Sequence, residues 1–193
     1  MSQLLLDRGA NINLASNGNT PFFNACKLGR VAMIEYLMER GGDIHQANTD
    51  GETPLYVAAH RGYLNVSMML VDRGAKLDVT THNGRTPLHA CAECGRTDVL
   101  KLLLIAGADP STADSAGLTP MSVALQHAQW AVVWELRKCA GAAGALDSAV
   151  LNSKSGLGPP LVQAAGLSGD GNVRLVKVLL NSGAAVNLSL IHI

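Results

Sequence analysis

Residues 84–95 read Gly84-Arg-Thr-Pro-Leu-His-Ala-Cys-Ala-Glu-Cys-Gly95. A Gly-x-Thr-Pro opening is a turn followed by a helix start. Threonine caps the helix, and proline at the first helical position gives up no hydrogen bond. Leu88, Cys91 and Ala92 follow at helical spacing, and Gly95 closes the helix. The same opening occurs as GNTP at Gly18, GETP at Gly51 and GLTP at Gly117, so that together with Gly84 the four copies stand 33 residues apart.

The third copy, extended outward, starts at Gly74, which ends the preceding helix. Asn83-Gly84 predicts a tight hairpin turn. Beyond Gly95, Val99, Leu100, Leu102, Leu103 and Leu104 form the apolar side of a second helix, and Asp98 near its start suits the helix dipole. One unit is therefore a turn and two short antiparallel helices. Neither helix is long enough to persist alone in water. Each unit must bury its faces against copies of itself, which gives a one-dimensional stack.

The period and the Gly-x-Thr-Pro-Leu-His core of GRTPLHACAECG resemble the ankyrin repeat. GETPLYVAAHRG, GNTPFFNACKLG and GLTPMSVALQHA diverge progressively from it. The connecting loops RGANIN at Arg8, GGDIHQ at Gly41, GAKLDV at Gly74, GADPST at Gly107 and GAAVNL at Gly183 match too. The resemblance covers about residues 4–187 and implies an all-α, ankyrin-type α-solenoid of helix-turn-helix repeats joined by β-hairpin-like loops.

The expected organisation is a remnant helix over 1–8 and repeats over about 9–40, 41–73, 74–106 and 107–140. An insertion over 141–158 and a divergent repeat over 159–187 follow. In the fourth copy Leu125 replaces a small residue, and Ala128 stands where glycine would end the first helix. The insertion, rich in Gly, Ala and Ser, stretches the Pro120-to-Pro160 spacing to 40. The fifth copy has Pro159 in place of threonine. The final residues 188–193, LSLIHI, fit no repeat position and coincide with one reading frame of a common transposase adaptor. The expectation is a non-native tail, with both ends of the array cut rather than capped.

Composition narrows the function. The chain has 15 basic and 15 acidic residues, which argues against a broad surface for nucleic acid or anionic lipid. No apolar run approaches the roughly 18 residues of a membrane span. MSQLLLDRGAN has no signal-peptide character, so an intracellular location is expected, cytoplasmic first and nuclear as the other compartment. Cys26, Cys91, Cys94 and Cys139 read as free thiols. The sequon Asn65-Val66-Ser67 falls inside a predicted helix and is read as incidental.

Cys91-Ala-Glu-Cys94 is a CxxC with His89 two residues ahead. Redox use would need a thioredoxin-like sheet, and none is predicted. A zinc site on His89, Cys91 and Cys94, with or without His82, lacks a second ligand pair, and repeat register buries Cys91 away from Cys94. The resemblance implies instead that His89 bonds to the Thr86 hydroxyl and the turn backbone, tying neighbouring hairpins. Phe23, Tyr56, Ser122 and Val162 occupy that position elsewhere, so the network is expected once. Phosphate-loop, serine-hydrolase and HExxH motifs do not occur, and Asp7, Glu35, Glu39, Asp43 and Asp72 have no common focus. No catalytic residue, metal or cofactor is expected.

The resemblance further implies a partner protein bound on a concave face formed by hairpin tips and first helices. Position by position, that face comprises Asn17, Asn19, Lys27 and Leu28, then Thr49, Asp50, Glu52, His60 and Arg61. His82, Asn83, Arg85, Glu93 and Cys94 follow, then Ser115, Leu118, Gln126 and His127. The expected function is a non-catalytic, monomeric protein-interaction module. The alternative is a regulatory segment of a larger enzyme, channel or ubiquitin-ligase adaptor.

Overall fold

A computed structural model of the chain describes residues 11–140. The expected remnant helix (1–8), insertion (141–158), divergent repeat (159–187) and tail (188–193) lie outside the described residues. Within them the chain forms α1 (Pro21–Lys27), α2 (Val31–Glu39), α3 (Pro54–Arg61), α4 (Leu64–Asp72), α5 (Pro87–Cys94), α6 (Thr97–Ile105), α7 (Pro120–Gln126) and α8 (Trp130–Ala140). Each odd-numbered helix packs on the even-numbered helix that follows it. The inner helices α1, α3, α5 and α7 pack in series, and α4, α6 and α8 form an outer series behind them. This is the all-α stack expected from the 33-residue period.

Every inner helix starts the same way. Pro21, Pro54, Pro87 and Pro120 open the helices behind Thr20, Thr53, Thr86 and Thr119 in extended conformation. The hydroxyls of Thr20, Thr53 and Thr119 accept from the backbone N–H of Phe23, Tyr56 and Ser122 at 3.0, 3.1 and 3.3 Å. These bonds satisfy helix-end donors that would otherwise be orphaned. Gly95 ends α5 in the left-handed region, as expected, and Gly62 ends α3 in the same way. In the fourth unit Ala128 occupies that region at φ 53. An L-residue is strained there by its Cβ.

The inner helices approach closely because their facing residues are small. Ala58, Ala59, Ala90, Cys91, Ala92 and Ala124 are all fully buried. The Cys91 thiol lies 3.9 Å from the Ala59 carbonyl of the preceding unit. Leu55, Leu70, Leu88, Leu100, Leu103 and Leu136 fill the space between the two layers. Each such side chain contributes about 1.5–3 kcal/mol on burial. The buried residues form one continuous core from Phe22 to Leu136.

The hairpin tips are the other joint. Asn17 and Gly18 both have positive φ, and Ser16 and Asn19 exchange backbone bonds of 3.0 and 3.1 Å across them. This is a two-residue type I′ turn. The later tips are longer and are organised by a side chain at the corresponding position. Asn48 Oδ1 accepts from the N–H of Asp50 and Glu52, and Asp114 Oδ1 from those of Ala116 and Leu118. Thr81 accepts from the Arg85 N–H at 3.2 Å. Adjacent tips are then tied by backbone bonds, from His82 N–H to Asp50 at 3.1 Å and from Ser115 N–H to Asn83 at 3.0 Å. Ser16–Asn19 is an isolated bridge, and among the described residues the tips contain no strand.

Candidate functional site

The inner helices present less surface than their sequence pattern implied. Phe23, Tyr56, His89 and Ser122, at equivalent mid-face positions, are all buried. Accessible side chains collect in two strips, at the hairpin tips and at the C-terminal ends of the inner helices. Asn17, Thr49, Asp50, His82, Asn83 and Ser115 are exposed at the tips, with Asn19, Glu52, Arg85 and Leu118 half-buried behind them. Lys27, Leu28, Arg61, Gln126 and His127 are exposed at the helix ends, beside half-buried His60, Glu93 and Cys94.

Arg85 bridges the two strips. Its guanidinium contacts Glu93 at 2.7 Å and Asp114 of the next unit at 3.4 Å. Burial alone would raise the Asp114 pKa, but the N–H groups of Leu118 and Ala116, with Arg85, outweigh it and hold the carboxyl below its ordinary value. Arg85 and Glu93, expected as contact residues, are thus committed to holding the third and fourth units in register. Glu52 is similarly engaged, accepting from Asn48 Nδ2 at 2.9 Å.

His89 has the role that the resemblance implied. The Thr86 backbone N–H donates to its Nδ1 at 3.1 Å, and the Thr86 hydroxyl lies 2.9 Å from the same atom. An N–H can only donate, so Nδ1 carries the lone pair and Nε2 carries the proton. Nε2 therefore donates to the Leu118 carbonyl of the next hairpin, at 2.9 Å. Burial lowers the pKa of this histidine, with Arg85 adding to the effect and Leu118 and Asp114 opposing it. Ser122, at the corresponding position of the fourth unit, reaches only the hydroxyl of Thr119, at 3.1 Å.

Both His89 nitrogens are thus engaged in structural bonds. Burial pushes Cys26 up to about 12 and raises Cys91 further, so neither is a thiolate near neutrality. Cys94 is raised as well, by burial and then by Glu93, against Arg96 and Arg61. Among the described residues no three histidine, cysteine or acidic side chains gather as a metal site would require. Nor is any helix there long and apolar enough to cross a membrane. The sequon lies within α4, with Asn65 exposed and Ser67 buried.

One set of positions escaped the sequence reading. The residues opening the outer helices reach back onto the preceding unit. Arg96 Nε donates to the His60 carbonyl at 3.2 Å, and Gln129 Nε2 to that of Glu93 at 3.3 Å. They cover Gly62 and Gly95, while Tyr63 covers Gly29. The sequence signal was a long side chain at 63, 96 and 129, directly after the next unit's closing residue.

Two models for ankyrin repeats match the chain. One, for three copies, matches residues 40–114 and 70–146, and one for many copies matches residues 5–58. No curated protein matches the chain. The matched segments overlap to cover most of the sequence, and they coincide with the helix pairs and capped turns described above. The chain belongs to the ankyrin-repeat family.

Proposed function

We propose that this chain is a non-catalytic module that binds a partner protein on the concave face formed by its hairpin tips and inner-helix ends. Ankyrin repeats as a family are protein–protein interaction modules, and their domains are typically non-catalytic. The observation that carries the reading is a contrast within the repeat. In the four described units the capping positions are uniformly Thr and Pro and hold the backbone in register. The positions beside them change chemistry from unit to unit, as at exposed Leu28, Arg61 and His127 and half-buried Cys94. A rigid support with varied, accessible side chains spares the ordering entropy that a loop would lose on binding.

The test uses two surface variants of the full chain and a partner recovered by affinity capture, purified and titrated back. One variant combines Leu28→Ala, Arg61→Ala and His127→Ala on the inner face. The other combines Glu35→Ala and Met68→Ala on the outer helices. Both should melt within about 0.5 kcal/mol of the parent, since exposed positions away from bonds are tolerant. The inner variant should bind at least about tenfold more weakly, as hot-spot truncations do. Weakening by the outer variant alone would overturn the assignment.

A further inference from the structure

The ends of the inner helices carry a row of cations. Lys27 and Arg30 flank the first turn between paired helices, Arg61 sits at the second, and Arg96, from the head of α6, reaches back over that second turn. These turns are stacked against one another, because Tyr63 lies on Gly29, Arg96 on Gly62 and Gln129 on Gly95. Arg96 Nε donates to the carbonyl of His60, the residue before Arg61, at 3.2 Å, which sets the two guanidinium-bearing residues on one edge. Lys27, Arg30, Arg61 and Arg96 are all exposed, and none has an ion-pair partner among the described residues. Arg96 uses only Nε, on the His60 carbonyl. Of the nearby acids, Glu93 is taken by Arg85. Asp98 stands in the first turn of α6.

The chain as a whole is neutral. Other acidic side chains stand at the tips, at Asp50 and Glu52, and in the loops at Asp43, Asp78 and Asp109. Leu28, 60 % exposed, sits among the cations as an apolar anchor point. Guanidinium groups favour carboxylates through paired, planar hydrogen bonds.

We propose that this ridge takes an extended acidic peptide segment of the partner protein, with an apolar side chain against Leu28 and carboxylates recurring about every third residue. This rests on the partner-binding reading above. Packed helices repeat at about 8–10 Å, and an extended peptide advances about 3.3 Å per residue. One carboxylate per unit therefore needs a spacing of three. The row is short, and its half-buried Tyr63 packs onto Gly29 instead of offering a face for base stacking, so it fits a peptide better than single-stranded nucleic acid.

The experiment titrates the full chain against fluorescein-labelled peptides. The first carries one leucine and three glutamates, each three residues apart on a Gly/Ser background. A second places the same glutamates side by side, a third replaces them by glutamine, and a single-stranded RNA oligonucleotide carries the same label. The spaced peptide should bind at least about fivefold more tightly than the other peptides. Arg61→Glu should weaken it about tenfold, Asp43→Lys should leave it unchanged, and added salt should weaken it. Absent binding, equal binding of the contiguous isomer, or RNA binding that is equally tight and equally sensitive to Arg61→Glu would overturn the proposal. A captured partner that depends on the inner face but resists displacement by excess spaced peptide would remove this proposal and leave the module reading standing. A captured partner indifferent to the inner face would remove the module reading, while the peptide titration still tests the ridge.

Discussion

The side chain with the most to lose is His89. It is fully buried, and its two nitrogens serve the cap of α5 and the hairpin of the next unit. His89→Ala leaves the Thr86 N–H and the Leu118 carbonyl without partners, and should cost about 2–3 kcal/mol in urea unfolding. The lowered pKa adds a pH dependence with a definite sign. The unfolded chain binds this proton more readily than the folded one, so stability is fully present above the ordinary value of 6.5 and is lost as pH falls below it. While His89 stays neutral in the folded state, the loss approaches about 1.4 kcal/mol per pH unit. Melting curves from pH 7.5 to 5.5 should show it, and His89→Gln should flatten it. Ala128 is a weakness of the opposite kind. Ala128→Gly relieves a left-handed alanine and should stabilise the chain by about 0.5–1 kcal/mol in the same unfolding assay. The local parts of both arguments, the Thr-Pro cap and the missing closing glycine, could be read directly from the sequence. The bonds of Arg85 to Asp114 and of Arg96 to His60 could not. They join residues 29 and 36 positions apart, and only the stacking register brings them together.

At the scale of the element, the hairpin tip is more constrained than a surface turn. Gly84 has φ 74, and a Cβ there would stand 2.8 Å from the backbone nitrogen of Ser115 in the next tip. Gly74, with φ 80, has nothing within 4 Å. Gly74→Ala should therefore cost only the backbone penalty of about 1 kcal/mol. Gly84→Ala should cost measurably more, because the tip must move away from its neighbour and weaken the Ser115–Asn83 bond. Differential scanning calorimetry on the two variants separates the effects, and equal shifts would show that the tips do not support one another. Position 84 reads as a turn glycine in sequence. Its second role depends on the adjacent tip and has no local signature.

For the whole molecule, the consequence of stacking is shared stability. The buried side chains of all four helix pairs belong to one core, and no described unit has a core of its own. Leu103→Ala, at a fully buried position of α6, should cost about 2–5 kcal/mol. Amide hydrogen exchange should accelerate in α4 and α8 as well as in α6, since these helices pack in series. Acceleration confined to α6 would mean that the units open independently.

The sequence by itself determined the unit and its period, because caps, turns and helical spacing are local and each is chosen by a few adjacent residues. It also determined which positions of the unit vary. The tertiary structure alone decided which of those variable residues remain accessible. It engaged Arg85, Glu93 and Glu52 in bonds within the stack and left Lys27, Arg30 and Arg61 along one edge without an ion-pair partner among the described residues. The physical reason is that an ion pair between units depends on distance across the stack, and sequence separation does not encode that distance until the repeats have packed.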